Sequence, residues 1–146
     1  MASVPERSRW VASTNSRPLF VALGITGDDV AEGFARYRVD PMEGGDGVVD
    51  TLAITTAADQ CLVTAASTLI EQGREEMNGT AEMNITYVAE PQGAVMVEGT
   101  VLHRGSHLTV ITVEAKDEAG AVVAAGRGSY AIRPLTSSRG TSGAGA

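Results

Sequence analysis

From Asp50 to Gln72 the chain contains neither glycine nor proline, and between Thr51 and Ile70 its only charged side chain is Asp59. A run of that length without a breaker predicts a helix of several turns. Asp50 suits the N-cap, because its carboxylate can accept a bond from a free amide of the first turn. Gly73 suits the C-terminal stop. Leu52, Ile54, Cys61, Leu62, Val63, Ala65, Ala66, Leu69 and Ile70 spread over much of the circumference. A helix that is apolar on most sides is expected to be buried on most sides, so the rest of the chain has to wrap around this segment. The acid at its centre then needs a reason, since an unpaired buried carboxylate is too costly to be accidental.

The flanking segments read as strands and short connections. Arg17 to Leu23 suits a short helix, broken by Gly24 and Gly27. Asp28 to Val39 alternates roughly through Val30, Phe34, Tyr37 and Val39 and reads as one strand, followed by the loop "DPMEGGDG". After the helix come four strand-like segments: Thr80–Val88, Ala94–Leu102, Leu108–Lys116 and Ala121–Arg133. Their in-phase apolar sets are Met83, Ile85 and Tyr87; Val95, Val97 and Val101; Ile111, Val113 and Ala115; and Val122, Tyr130 and Ile132. Gly126 and Gly128 fall on the face of the last set, where they would let a thick element approach the sheet. The links "RGS" and "DEAG" are turn-like, and short links imply antiparallel neighbours. The expectation is an α+β chain in which an antiparallel sheet wraps around one long central helix. Met96, Leu102, Leu108 and Val110 fall on the other sheet face and suggest subunit packing there.

Composition narrows the function. The 146 residues suit one domain, expected over 16–134, with a poorly defined N-terminal segment over 1–15 and a disordered Ser/Gly/Thr-rich tail over 135–146. The formal net charge of −7 argues against nucleic acid as a partner. No apolar run approaches the roughly 20 residues of a membrane span, and "MASVPERSRW" lacks the apolar stretch of a secretory signal. A cytoplasmic protein is therefore expected. The single cysteine cannot form an internal disulfide, and with two histidines it makes no recognisable zinc spacing, so no metal or other cofactor is expected. Asn78-Gly-Thr and Asn84-Ile-Thr match the glycosylation tripeptide and are set aside without a secretory signal.

The segment "ITYVAEPQGAVMVEGTVLHRGSHLTVITVEAKDEAGAVVAAGRGSYAI" and the helix before it resemble the hotdog-fold acyl-CoA thioesterases of the phenylacetate-degradation type, over about Arg17 to Arg133. That family's helix pattern runs Gly, two residues, His-Gly-Gly, and then, seven residues on from the His, an apolar residue, an Ala and an acid. Gly47 matches the first glycine, and Ala58 and Asp59 match the Ala–acid pair. Asp50, Thr51 and Leu52 stand where His-Gly-Gly is expected. A second placement, with Gly44 and Gly45 on the glycine pair, leaves no acid at the acidic position.

The resemblance makes Asp59 the catalytic carboxylate, acting as nucleophile or as general base on water. The backbone amides of Thr51 and Leu52 would be the oxyanion donors at the helix start. One subunit would supply the amides and its neighbour the acid, so the site needs a dimer or a dimer of dimers. Asp50 and Val63 are the candidate substrate contacts beside them. Arg104, Gly105 and Ser106 would lie near the phosphates or pantetheine of CoA, where a guanidinium suits phosphate. Leu52, Thr55, Thr56, Leu62, Val63 and Ala66 share the helical face of Asp59 and would desolvate it. The bland reading of Asp59 is a structural acid bonded to Thr55, Thr56 or an arginine. Arg127 and Arg133 share a strand face and would add to the basic site. His103 and His107 read as strand-end surface residues and Cys61 as a small core residue. Two functions follow: hydrolysis of an acyl- or aryl-CoA thioester, or, without turnover, binding of such a thioester or oligomeric scaffolding; a hydratase, the weaker third option, would need a His near the helix start, where the sequence has none.

Overall fold

The computed structural model describes residues 4–136. Helix α1 (Val4–Asn15) and the short helix α2 (Pro18–Leu23) lead into strands β1 (Ile25–Ala31) and β2 (Phe34–Val39). Helix α3 (Thr51–Ser67) follows, and then β3 (Glu75–Tyr87), β4 (Val95–Arg104), β5 (Leu108–Asp117) and β6 (Val122–Pro134). The strands form a six-stranded sheet in the order β1-β2-β4-β5-β6-β3, with every neighbouring pair antiparallel. The sheet curls around α3, as the apolar run demanded. The tail beyond residue 136 lies outside the described residues.

Several expectations change. The segment read as one strand from Asp28 is a hairpin, because Gly33 takes φ +68 and turns the chain back so that Ala31 faces Phe34. The central helix stops at Ser67, five residues before Gln72. Its last turn closes on side chains: Ser67 Oγ donates to Thr64 O and Thr68 Oγ1 to Ala65 O, while Thr68 Oγ1 accepts from Gly33 N. Within the N-terminal segment expected over 1–15, Val4–Asn15 forms α1, which lays Trp10 edge-on to Tyr37 with ring centroids 5.4 Å apart.

Strand β3 begins at Glu75 rather than Thr80, because register shifts at Met77/Gly79 and Thr80/Glu82 hide its alternation from a period-two reading. A shift at Ala115/Lys116 likewise turns Val122 outward and Val123 inward, against the expected phase. The link "DEAG" is a turn built on Asp117, whose carboxylate accepts from the amides of Gln92, Ala119 and Ala121. Those bonds, the Gln92 one foremost, hold its carboxyl below the usual carboxylate range.

The core lies between α3 and the concave face of the sheet. Ala53, Ala57, Ala58, Cys61 and Ala65 are buried, so small side chains let the sheet come close. Gly99 completes the fit: a Cβ there would stand 2.6 Å from Cys61 Cβ. A Cβ on Gly128 would collide with Leu62 and with the carbonyl of Glu82, as expected for a glycine that admits the helix, whereas one on Gly126 would meet the backbone of β3 at Asn84. The convex face is less apolar than expected. Leu102 and Leu108 are exposed at the β4–β5 turn and Met96 and Val110 are half-buried, but Glu98, Thr100, Thr112 and Glu114 share that face.

Candidate active site

One stripe of α3 is left uncovered by the sheet. It carries Leu52, which is 63% exposed, and the half-buried Thr55, Thr56, Asp59, Gln60 and Val63. Leu62 and Ala66, expected beside Asp59, turn fully into the core. Asp59 accepts from Thr80 Oγ1 at 2.7 Å, a partner on β3 that no spacing within the helix could show. The expected structural partners are engaged elsewhere: Thr55 Oγ1 donates to Thr51 O and Thr56 Oγ1 to Leu52 O. Among the described residues Asp59 forms no ion pair.

The start of α3 is capped as predicted. Asp50 Oδ1 accepts from Leu52 N at 2.7 Å, and Ala53 N and Ile54 N return to the Asp50 carbonyl. The Leu52 amide, one of the two expected oxyanion donors, is therefore already satisfied. The Thr51 amide is the first-turn donor left without an acceptor among the described residues. Thr51 lines a cavity of about 540 Å³ with Val48, Asp50, Tyr87, Val88, Glu90 and Pro91. Tyr87 was missed as a site residue. Its hydroxyl meets Thr55 Oγ1 and donates to Thr51 O, and its phase with Met83 and Ile85 was the available signal.

The other candidates lie elsewhere. Arg104, Gly105 and Ser106 line a cavity of about 510 Å³ with Leu69, Glu71 and Glu75 at the opposite end of α3, roughly 25 Å from Thr51 at 1.5 Å per helical residue. The Arg104 guanidinium pairs with Glu75 and donates to Gly105 O, and this partner holds the Glu75 carboxyl below its usual range. Arg133 pairs with Glu76, and Arg127 is exposed opposite Thr112 and Asn84, so neither joins Arg104. His103 and His107 are exposed at strand ends. Cys61 is fully buried, and burial pushes its thiol up, which removes it as a nucleophile at neutral pH. No group of metal-ligating side chains occurs among the described residues, and no helix there is long and apolar enough to cross a membrane.

Comparison with known proteins bears out the fold. The model of the thioesterase superfamily matches residues 53–124, which take in most of α3 and reach into β6. No curated protein matches significantly. A thioesterase from Haemophilus influenzae is 15% identical and superposes with a TM-score of 0.77, covering 95% of this chain and 96% of its own. A mutant thioesterase from Pseudomonas aeruginosa is 14% identical, with a TM-score of 0.76 and 91% and 97% covered. The E. coli PaaI protein from the phenylacetic acid degradation operon is 20% identical, with a TM-score of 0.66 and 86% and 89% covered. At these identities the likeness is one of fold. The resemblance drawn from the sequence holds at the level of the fold: this is a hotdog fold, as in these thioesterases.

Proposed function

We propose that this chain, a hotdog protein matched by the thioesterase superfamily model, hydrolyses acyl-CoA or aryl-CoA thioesters to free acid and CoA. The observation that carries the reading is the position of Asp59, an acid without an ion pair on the stripe of α3 that its own sheet leaves open. Asp59 either attacks the thioester carbonyl or takes a proton from the water that does. The C–S bond then breaks, and the sulfur leaves with its electron pair and is protonated as free CoA; on the first route water then hydrolyses the acyl–Asp59 anhydride, which releases the acid and restores the carboxylate. The Thr51 amide, at the positive end of the helix dipole, faces the oxyanion as it forms.

These two groups cannot act within one chain. Eight residues of helix separate Asp59 from Thr51, which is about 12 Å at 1.5 Å per residue. Two copies laid antiparallel along their open stripes bring the acid of each to the amide of the other, in a two-fold arrangement that makes two equal sites. The free edge of β3, which is 13 residues long and has no strand on its outer side among the described residues, supports such pairing. Arg104, Gly105 and Ser106 stay the candidates for the CoA phosphates, with phosphate displacing Glu75 from the Arg104 guanidinium.

Release of free thiol from short, long and aromatic acyl-CoAs is the test. Asp59→Asn should lose at least about a hundredfold. Thr51→Pro should lose activity while keeping its fold, because it deletes only the amide at a position where proline suits a helix. Each variant alone is dead at both sites. A mixed dimer of the two restores one intact site and about half of the wild-type rate. Equal hydrolysis by wild type and Asp59→Asn removes Asp59 from catalysis. A second reading, binding of the thioester without turnover, is favoured by the Asp50 cap, which occupies one of the two expected donors. Its signature is CoA-thioester binding by both wild type and Asp59→Asn, with thiol released by neither.

A further inference from the structure

We propose that the cavity at the start of α3 selects acyl groups that carry no negative charge and rejects the monothioesters of dicarboxylic acids. The inference rests on the thioesterase reading of the same site and adds the class of substrate. The walls of the cavity offer apolar surface, with Tyr87 42% and Val88 58% exposed beside Val48 and Pro91. Among the described residues, those that line it with charge are Asp50 and Glu90, and no lysine, arginine or histidine does so.

The surroundings reinforce that sign. Gln92, next along the loop from Pro91, gives its amide to Asp117 and its carbonyl to the amide of Glu118. Arg38, which reaches Glu118 beside this loop, is paired with Asp40 and Glu118 and does not line the cavity. In the antiparallel pairing a second copy would add its Asp59, one more carboxylate. The Asp50 charge is fixed in place by its bond to Leu52 N, so it cannot swing away from an incoming anion.

An acyl chain ending in methyl or phenyl gains by covering Tyr87 and Val88. A chain of the same length ending in carboxylate brings a further negative charge beside Asp50 and Glu90, with no cation among the described lining residues, and like charges repel there. The site thus discriminates by repulsion as well as by fit.

Hexanoyl-CoA and adipoyl-CoA have the same number of acyl carbons and differ at the terminus. Wild type should show kcat/KM at least about a hundredfold higher for hexanoyl-CoA. Glu90→Gln and Asp50→Asn, the latter keeping a competent cap, should each narrow that ratio by roughly tenfold, and Glu90→Lys by more. A wild-type ratio near one, or a ratio that none of these changes moves, overturns the proposal. If neither thioester is hydrolysed, the thioesterase reading fails on its own, and calorimetric binding of the same two compounds decides the selectivity. Tighter hexanoyl-CoA binding supports it; equal binding of the two, or binding of neither, overturns it.

Discussion

The two faces of α3 are built from the same short segment and obey different rules. Toward the sheet, Ala53, Ala57, Ala58, Cys61 and Ala65 are small and buried, and Gly99 lets β4 come against Cys61. Away from it, Leu52, Thr55, Asp59 and Val63 mix apolar and polar groups and stay partly exposed. The first face fixes how thick the layer can be. The second costs the monomer some exposed apolar surface and keeps a carboxylate available at the boundary. Folding and chemistry are thus divided across one helix.

Changes on either face test that division. Leu62→Ala, on the sheet side, should cost about 3 kcal/mol of stability, read as a lowered midpoint in urea. Asp59→Asn should do the opposite: thiol release falls at least about a hundredfold while stability changes by less than about 0.5 kcal/mol. A large stability loss there would make Asp59 a structural acid held for its bond to Thr80. Gly99→Ala should cost about 2 kcal/mol, because the new methyl meets the helix at Cys61 where neither side can yield freely.

Smaller effects sharpen the same contrast at the helix start. Asp50→Ala should lose about 1 kcal/mol through the missing cap, whereas Asp50→Asn should lose almost nothing in thermal unfolding. A carboxylate used only for structure offers the last comparison. Asp117 titrates below its ordinary range in the folded state, so its contribution is present above that range and fades as pH falls through it. Asp117→Asn should therefore lower Tm at neutral pH, and the gap from wild type should close on acidification toward about pH 3.

Much of the fold was legible because it rests on local rules. The absence of glycine and proline through α3, the Asp50 cap and the clean alternation of β5 each express a single-segment preference. The misreadings fall where a second segment intervenes. Gly33 turns one apparent strand into a hairpin, bulges hide the start of β3, and Thr68 ends α3 early by bonding to the hairpin. At the site, Asp59 stood out by its isolation in the run. Tyr87 did not, because its role depends on where β3 passes the helix start.

The sequence by itself settled that one apolar helix must be enclosed by antiparallel strands, that Asp50 begins it and that one acid lies along it. Periodicity and capping act within a few residues of chain, so they can be read in one dimension. Only the tertiary structure decided which stripe of the helix stays open, that Asp59 bonds to Thr80, that Leu52 loses its free amide to Asp50, and that Arg104 is claimed by Glu75. Those outcomes turn on packing and on competition between partners far apart in sequence, and such competition is resolved only when the sheet has closed around the helix.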